Sequence, residues 1–135
     1  MAEPWLRLDW IGAGMELIAQ GGRTGQLYVL KSGQLEVLRD GTHITTIKTP
    51  GSVMGEMSIL LDAPQTATVR AITEVEYYVI DNAIEVLRTH PDWLLQIARL
   101  LAQRVKQTTE QLARRDEEAM VLPSHFIASW GDPAI

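Results

Sequence analysis

The sequence predicts a mainly β fold with C-terminal helices, and three observations carry that expectation. Residues 13–80 hold short runs of β-forming residues broken by Gly- and Pro-containing turns. From Asp81 onward the apolar residues recur with a helical period. The chain has 135 residues, 46% hydrophobic and 21% charged, which suits one globular domain with its own core. Strands at this spacing suggest a sandwich or a jelly-roll barrel.

The elements follow in order. Residues 1–12 read as a short lead-in carrying Trp5 and Trp10. Met15 to Ala19 and Leu27 to Leu30 are candidate strands, the second closed by Ser32-Gly33. Gln34 to Arg39 alternates, with Leu35 and Val37 on one face and Glu36 and Leu38 on the other. Asp40-Gly41 is a two-residue hairpin signal, because both residues tolerate positive φ. Thr42 to Lys48 is the return strand, broken by Pro50-Gly51, and Thr66 to Ile72 with Val75 to Ile80 form a second β-rich pair.

The helical part begins with Ala83 to Thr89, which Asp81 or Asn82 can cap. His90-Pro91 interrupts it, since a residue before proline is pushed out of the α region. A long helix then runs from Pro91 to about Arg115. Leu94, Ala98, Leu101, Val105, Thr108 and Leu112 recur on it at alternating spacings of 4 and 3. That seam serves either packing on the β part or pairing with a second copy. The helix region 91–115 holds five cations and two anions, which fits a solvated or dimer-flanking face. The tail VLPSHFIASW is apolar enough to dock on the β part or to form an interface.

Composition excludes several functions. Without cysteine there is no disulfide scaffold and no thiolate metal site. Net charge is −5, from 12 Lys and Arg against 17 Asp and Glu, which disfavours direct nucleic-acid binding. No apolar run approaches the roughly 18 residues of a membrane span, and MAEPWLRLDW lacks the features of a signal peptide. A cytoplasmic domain is expected. His43, His90 and His125 have no metal-ligand spacing, so no metal is expected. Ser58 lacks a nucleophile elbow and there is no phosphate-binding GxxxxGK[ST] loop, so neither an enzyme nor a cofactor is expected.

The segment with chemistry is GSVMGEMSILLDAPQTATVR, residues 51–70. Gly55-Glu56 precedes a short helix-like run, Met57 to Leu61, followed by Asp62-Ala63-Pro64 and Gln65-Thr66-Ala67. A glycine before a helix lets backbone approach a ligand. The first N–H groups of the helix lack internal partners and suit an anion. The Glu56 carboxylate suits a sugar hydroxyl, and Thr66 adds a hydroxyl and an N–H. A capped surface helix between strands has the same spacing.

The run GEMSILLDAPQTATVRA resembles the phosphate-binding cassette of cyclic nucleotide-binding domains, in the form found in regulatory subunits of cAMP-dependent protein kinase. LYVLKSGQLEV is similar to the family's barrel hairpin, and HPDWLLQIARLLAQRVKQTTEQL to the long helix of the bacterial catabolite-activator type. The resemblance covers about residues 14–115. It implies a double-stranded β-helix (jelly-roll) barrel, a short cassette helix and a long C-terminal helix. The domain would span 1–118, with the β-roll over 13–80, helices over 81–118 and a tail over 119–135. It also implies a regulatory module that binds cAMP or cGMP without turning it over, and a homodimer through the long helix.

The resemblance implies roles for particular residues. Gly55, Glu56, Met57 and Ser58 fall where the family's helix meets the cyclic phosphate, with Glu56 on the ribose 2′-hydroxyl. Thr66 and Ala67 fall where backbone N–H groups contact phosphate, and a Thr at 66 is similar to cGMP-preferring members. Thr108 and Thr109 match hydroxyl residues that contact adenine. Arg104 matches a long-helix arginine near the cassette glutamate, so a Glu56–Arg104 pair is expected.

Gln65 departs from the pattern, because the family places an arginine there against the phosphate. A charged hydrogen bond contributes roughly 1.5–3 kcal/mol, so affinity is expected to fall by about 10- to 100-fold. A degenerate domain that has lost its nucleotide and serves as an interaction scaffold is the alternative. The catabolite-activator type continues into a DNA-binding helix-turn-helix domain. No recognition helix fits after Arg115, so a sensor module, or a piece of a larger protein, without direct nucleic-acid contact is expected.

Overall fold

The structure, a computed structural model, describes residues 5–110 and 121–130. Eight strands and four helices follow one another: β1 (Leu6–Ile11), β2 (Glu16–Ile18), β3 (Leu27–Ser32), β4 (Leu35–Arg39), β5 (Thr42–Ile47), β6 (Val53–Met54), α1 (Glu56–Leu61), β7 (Thr68–Ala71), β8 (Val75–Ile80), α2 (Ala83–Thr89), α3 (Pro91–Glu110) and α4 (Ser124–Ala128). The strands form two antiparallel sheets, ordered β1-β8-β3-β6 and β2-β7-β4-β5.

Alternation explains how the sheets are used. Tyr28 and Leu30 on β3, with Tyr77 and Val79 on β8, face the second sheet and meet Leu35, Ile47, Val69 and Ala71. Leu27 and Val29, with Tyr78 and Ile80, face the other way, onto α2, α3 and the tail. Both faces of β3 and β8 are therefore buried, which is why these strands read as continuous apolar runs. Full burial of one such aliphatic side chain stabilises by about 1.5–3 kcal/mol.

The β4–β5 hairpin turns through Asp40 and Gly41, both at positive φ (52° and 79°), as the Asp-Gly pair predicts. Three expectations need correction. The β part begins earlier than residue 13, because β1 in the lead-in pairs with β8 along its whole length, from Leu6 opposite Ile80 to Ile11 opposite Val75. Strand β1 is an edge strand with charged Arg7 and Asp9 and an exposed Trp10, so its apolar pattern is weak. The ladders also form two sheets rather than one closed barrel among the described residues. Edge strands β5 and β6 are joined through Pro50, which has no N–H to donate to a ladder. Finally, neither Asp81 nor Asn82 caps α2 as expected. Asn82 is left-handed and makes no side-chain cap bond, while Asp81 accepts from Arg7 at 2.9 Å and Gln26 at 2.7 Å.

On α3 the core is met mainly by residues outside the expected seam; of the seam itself, Leu101 packs inward while Leu94, Ala98, Val105 and Thr108 are exposed. Trp93 and Ile97 are buried, and Leu100 and Leu101 pack half-buried against the same cluster. Leu94, Leu95 and Val105 are exposed. Residues 111–115 of the expected helix, including Leu112, lie outside the described residues.

The tail docks intramolecularly. Val121 bridges to Ser52, and the Leu122 N–H donates to the Gly51 carbonyl at 2.9 Å. Gly51 has no room for a side chain, since a Cβ there would lie 2.7 Å from Ile127. Trp130 stacks on Trp93 with ring centres 4.4 Å apart and planes 19° from parallel. Tyr78 and Phe126 meet Trp130 edge-on. The Trp130 Nε1–H is buried with no partner among the described residues. Trp130→Ala is therefore expected to lower the unfolding free energy by about 3–5 kcal/mol. Trp130→Phe is expected to cost less, because it keeps an aromatic ring and removes an unsatisfied donor. Denaturant titration of the three proteins checks the order.

Candidate functional site

The inner face of the second sheet is not wholly covered by the first. Leu35 pairs with Ile47 and Ala71, and Val37 pairs with Thr45 and Val69. Toward the Arg39 end this face opens into a cavity of about 370 Å³, roofed by α1 and by Leu101 and Arg104 of α3. Small-ligand sites commonly occupy about 300–1,000 Å³.

The wall opposite the sheet is built by the turn from β6 into α1. Gly55 sits at φ 90° and is packed closely: a Cβ would lie 3.3 Å from the Gln26 carbonyl and 3.5 Å from the Gln65 side-chain amide. Only glycine suits both the conformation and the space. Helix α1 is six residues long and starts at Glu56, which lines the cavity. Burial raises its pKa above the ordinary carboxylate range, while its own backbone N–H and the positive charge of Arg104 act in the opposite direction. The expected proximity of Glu56 and Arg104 is present as this electrostatic influence.

The far side of the cassette is clamped by backbone. The Gly21 N–H donates to the Gln65 carbonyl at 2.7 Å, and the Gln65 N–H donates to the Gly22 carbonyl at 2.9 Å. The Gln20 N–H adds a bond to Thr68 Oγ1 at 3.1 Å. This three-residue clasp fixes the bent segment Gln65, Thr66 and Ala67 along the cavity rim, just before β7 begins at Thr68.

Of the residues singled out from sequence, Gly55, Glu56, Met57, Gln65, Thr66, Ala67 and Arg104 surround the cavity. Ser58 does not contribute its hydroxyl there: it is buried and donates to the Ala63 carbonyl, closing the cassette loop. Thr108 and Thr109 line an adjoining apolar groove of about 440 Å³ between α1 and α3, which shares Met57, Leu101 and Arg104 with the cavity. The Thr109 hydroxyl donates back to the Val105 carbonyl at 3.0 Å. They lie at least one helical turn beyond Arg104, past the cavity's edge. Arg70, a cation five residues beyond Gln65, faces the outside of the sheet and binds Glu36 at 2.9 Å. That bond, with a second from His43, holds the Glu36 carboxyl below the ordinary range.

Sequence reasoning missed the floor of the cavity: Ile18, Val37, Arg39 and Thr45. The alternation of β4 was the available signal, because Leu35, Val37 and Arg39 share one face. Thr45 Oγ1 is buried and has no partner among the described residues.

The sequence profile of the cyclic nucleotide-binding domain family matches residues 9–84. The chain belongs to that family, whose members are regulatory ligand-binding modules, some of them parts of larger enzymes. A CRP-like cAMP-activated global transcriptional regulator of Mycobacterium tuberculosis is 32% identical over 108 residues, covering 74% of this chain and 47% of that protein. The cGMP-dependent protein kinase egl-4 of Caenorhabditis elegans is 36% identical over 72 residues, covering 53% of this chain and 9% of the kinase. The chain thus spans about half of one relative and under a tenth of the other. The catabolite activator protein of Thermus thermophilus shares the fold, with a TM-score of 0.68 at 23% identity over 80% of this chain and 54% of that one.

The raised Glu56 pKa has a definite sign in stability. The folded protein holds this proton more tightly than the unfolded chain, so the group favours folding below about pH 4 and opposes it as the pH rises toward neutrality. Glu56→Gln is therefore expected to raise the stability of the ligand-free protein near neutral pH. It should leave stability at acid pH little changed, as denaturant midpoints across the pH range will test.

Proposed function

We propose that this chain binds a cyclic purine mononucleotide in the cavity, cAMP in the first instance and cGMP as the second candidate. One observation carries the reading. An acidic residue, Glu56, lines a small cavity at the start of α1, with the clasped Gln65–Ala67 segment also on its wall. A ribose 2′-hydroxyl donates to Glu56, and the cyclic phosphate takes the N–H groups at the start of α1 and at Thr66 and Ala67. The base lies along Val37 and Thr45. The nature of the similar proteins supports both ligands: one regulator is cAMP-activated and one kinase is cGMP-dependent. Gln65 in the cassette makes the affinity weaker than that of a cassette with arginine. Ligand in the cavity presses on Leu101 and Arg104, and so biases the position of α3 if one position binds better.

Calorimetric titration with cAMP, cGMP and 5′-AMP tests this. Saturable binding of a cyclic nucleotide, without binding of 5′-AMP, is the expected result. No heat and no thermal shift at about millimolar nucleotide, where about 4 kcal/mol of binding free energy would already be visible, sinks it. The neutral Gln65 favours a second reading, a ligand-free interaction scaffold, and that outcome would select it.

The module is also proposed to pair through α3. Val105 is 67% exposed and Leu61 on α1 is 66% exposed, and both border the apolar groove. Val105→Glu is expected to convert a dimer to monomer in sedimentation without unfolding it, because the side chain is outside the core.

A further inference from the structure

An anion inside the cavity calls for a positive charge, and the cassette position that would supply it carries Gln65. The nearby cations sort by partner. Arg70 is turned to the outer face and bound to Glu36 at 2.9 Å, and Arg23 is paired with Asp62 at 3.1 Å. Arg104 stands beside Glu56, on the side of the cavity where a sugar would lie.

Arg39 remains. Leu38 of β4 pairs with Thr68 of β7, so in the antiparallel register Arg39 stands level with Ala67, the last residue of the cassette segment. Neighbouring strands are about 4.8 Å apart, well within the reach of an arginine side chain. Strand parity puts Arg39 on the inner face with Leu35 and Val37, and it lines the cavity together with Gln65, Thr66 and Ala67. No carboxylate lies within ion-pair distance of Arg39 among the described residues. The adjacent Asp40 carboxylate is occupied by the Gln20 side-chain amide at 2.8 Å, and the Asp40 N–H donates to the same side chain at 2.9 Å. The hairpin that carries Arg39 is thereby tied to the loop that clasps Gln65.

We propose that Arg39 supplies the counter-charge for the ligand's anionic group, from the neighbouring strand, in place of the cassette cation that Gln65 lacks. The assignment rests on the cyclic nucleotide reading of the cavity. A planar guanidinium can donate two hydrogen bonds to one phosphodiester, which an amide at residue 65 cannot do with a charge.

The test uses the full chain with cAMP and cGMP as probes. Arg39→Ala is expected to weaken both nucleotides by a similar factor, at least about tenfold, with the ligand-free thermal midpoint little changed because the side chain is exposed. Arg39→Lys is expected to recover most of that loss. Adding Gln65→Arg to Arg39→Ala is expected to restore binding, and to gain more there than in the wild-type background, since two cations serving one anion are not additive. Unchanged affinity in Arg39→Ala overturns the proposal. So does a loss confined to one of the two nucleotides, which would make Arg39 a reader of the base. If the wild-type chain binds neither nucleotide, the functional reading falls and this one with it. If the wild-type chain binds and Arg39→Ala binds equally well, the counter-charge alone is refuted.

Discussion

A carboxylate taken out of water is the constraint on which the rest of the site depends. Glu56 begins α1, lines the cavity and is shifted toward its protonated form by burial. A protein tolerates such a group when something it binds can satisfy it. The surrounding elements can be understood as holding that acid at a fixed depth. Gly55 places the helix start against Gln26 and Gln65, Ser58 ties the helix to Ala63, and Arg104 supplies a nearby positive field. None of these contacts is strong alone; together they leave α1 little freedom to turn the carboxyl outward.

The second requirement is that the two rims of the cavity keep their separation. The sheet rim is rigid because β4 lies between β5 and β7 and is paired on both edges. The cassette rim is irregular chain, and its rigidity comes from the Gly21, Gly22 and Gln20 bonds to Gln65 and Thr68. Gln20 also reaches Asp40, so the clasp joins the hairpin turn to the cassette exit. Loop 19–22 is therefore part of the site's geometry although it offers no side chain to a ligand.

Much of this was legible in the sequence, for identifiable reasons. The β4–β5 hairpin announced itself because Asp-Gly has few other uses between alternating residues, and α2 and α3 because His90-Pro91 separates two helical periods. The cassette was legible because its chemistry is local: glycine, acid, short helix and exit strand lie within 16 residues, from Gly55 to Arg70. What escaped notice depends on partners distant in sequence. Strand β1 becomes one only by pairing with β8, over 60 residues later. Asn82 has the identity of a cap but is held in the left-handed region without capping. Ser58 looked like a ligand residue because only its position, and not its bond to Ala63, was visible. Arg39 was passed over because its place on the cavity comes from the β4–β7 pairing, which runs to Leu38 opposite Thr68.

The stack of Trp130 on Trp93 gives α3 mechanical leverage. The helix is pinned at its first turn by an aromatic cluster, whereas Leu101 and Arg104 bear on the cavity two to three turns further on. At 1.5 Å per residue that arm is about 12–17 Å long, so a tilt of roughly 10° about the tryptophan pivot displaces its working end by about 2–3 Å. Sub-ångström slack at the root would thus become a full atomic diameter at Arg104. The tail packs on the root of the helix through Trp130, so a part of the chain outside the cavity lining helps set where Leu101 and Arg104 stand.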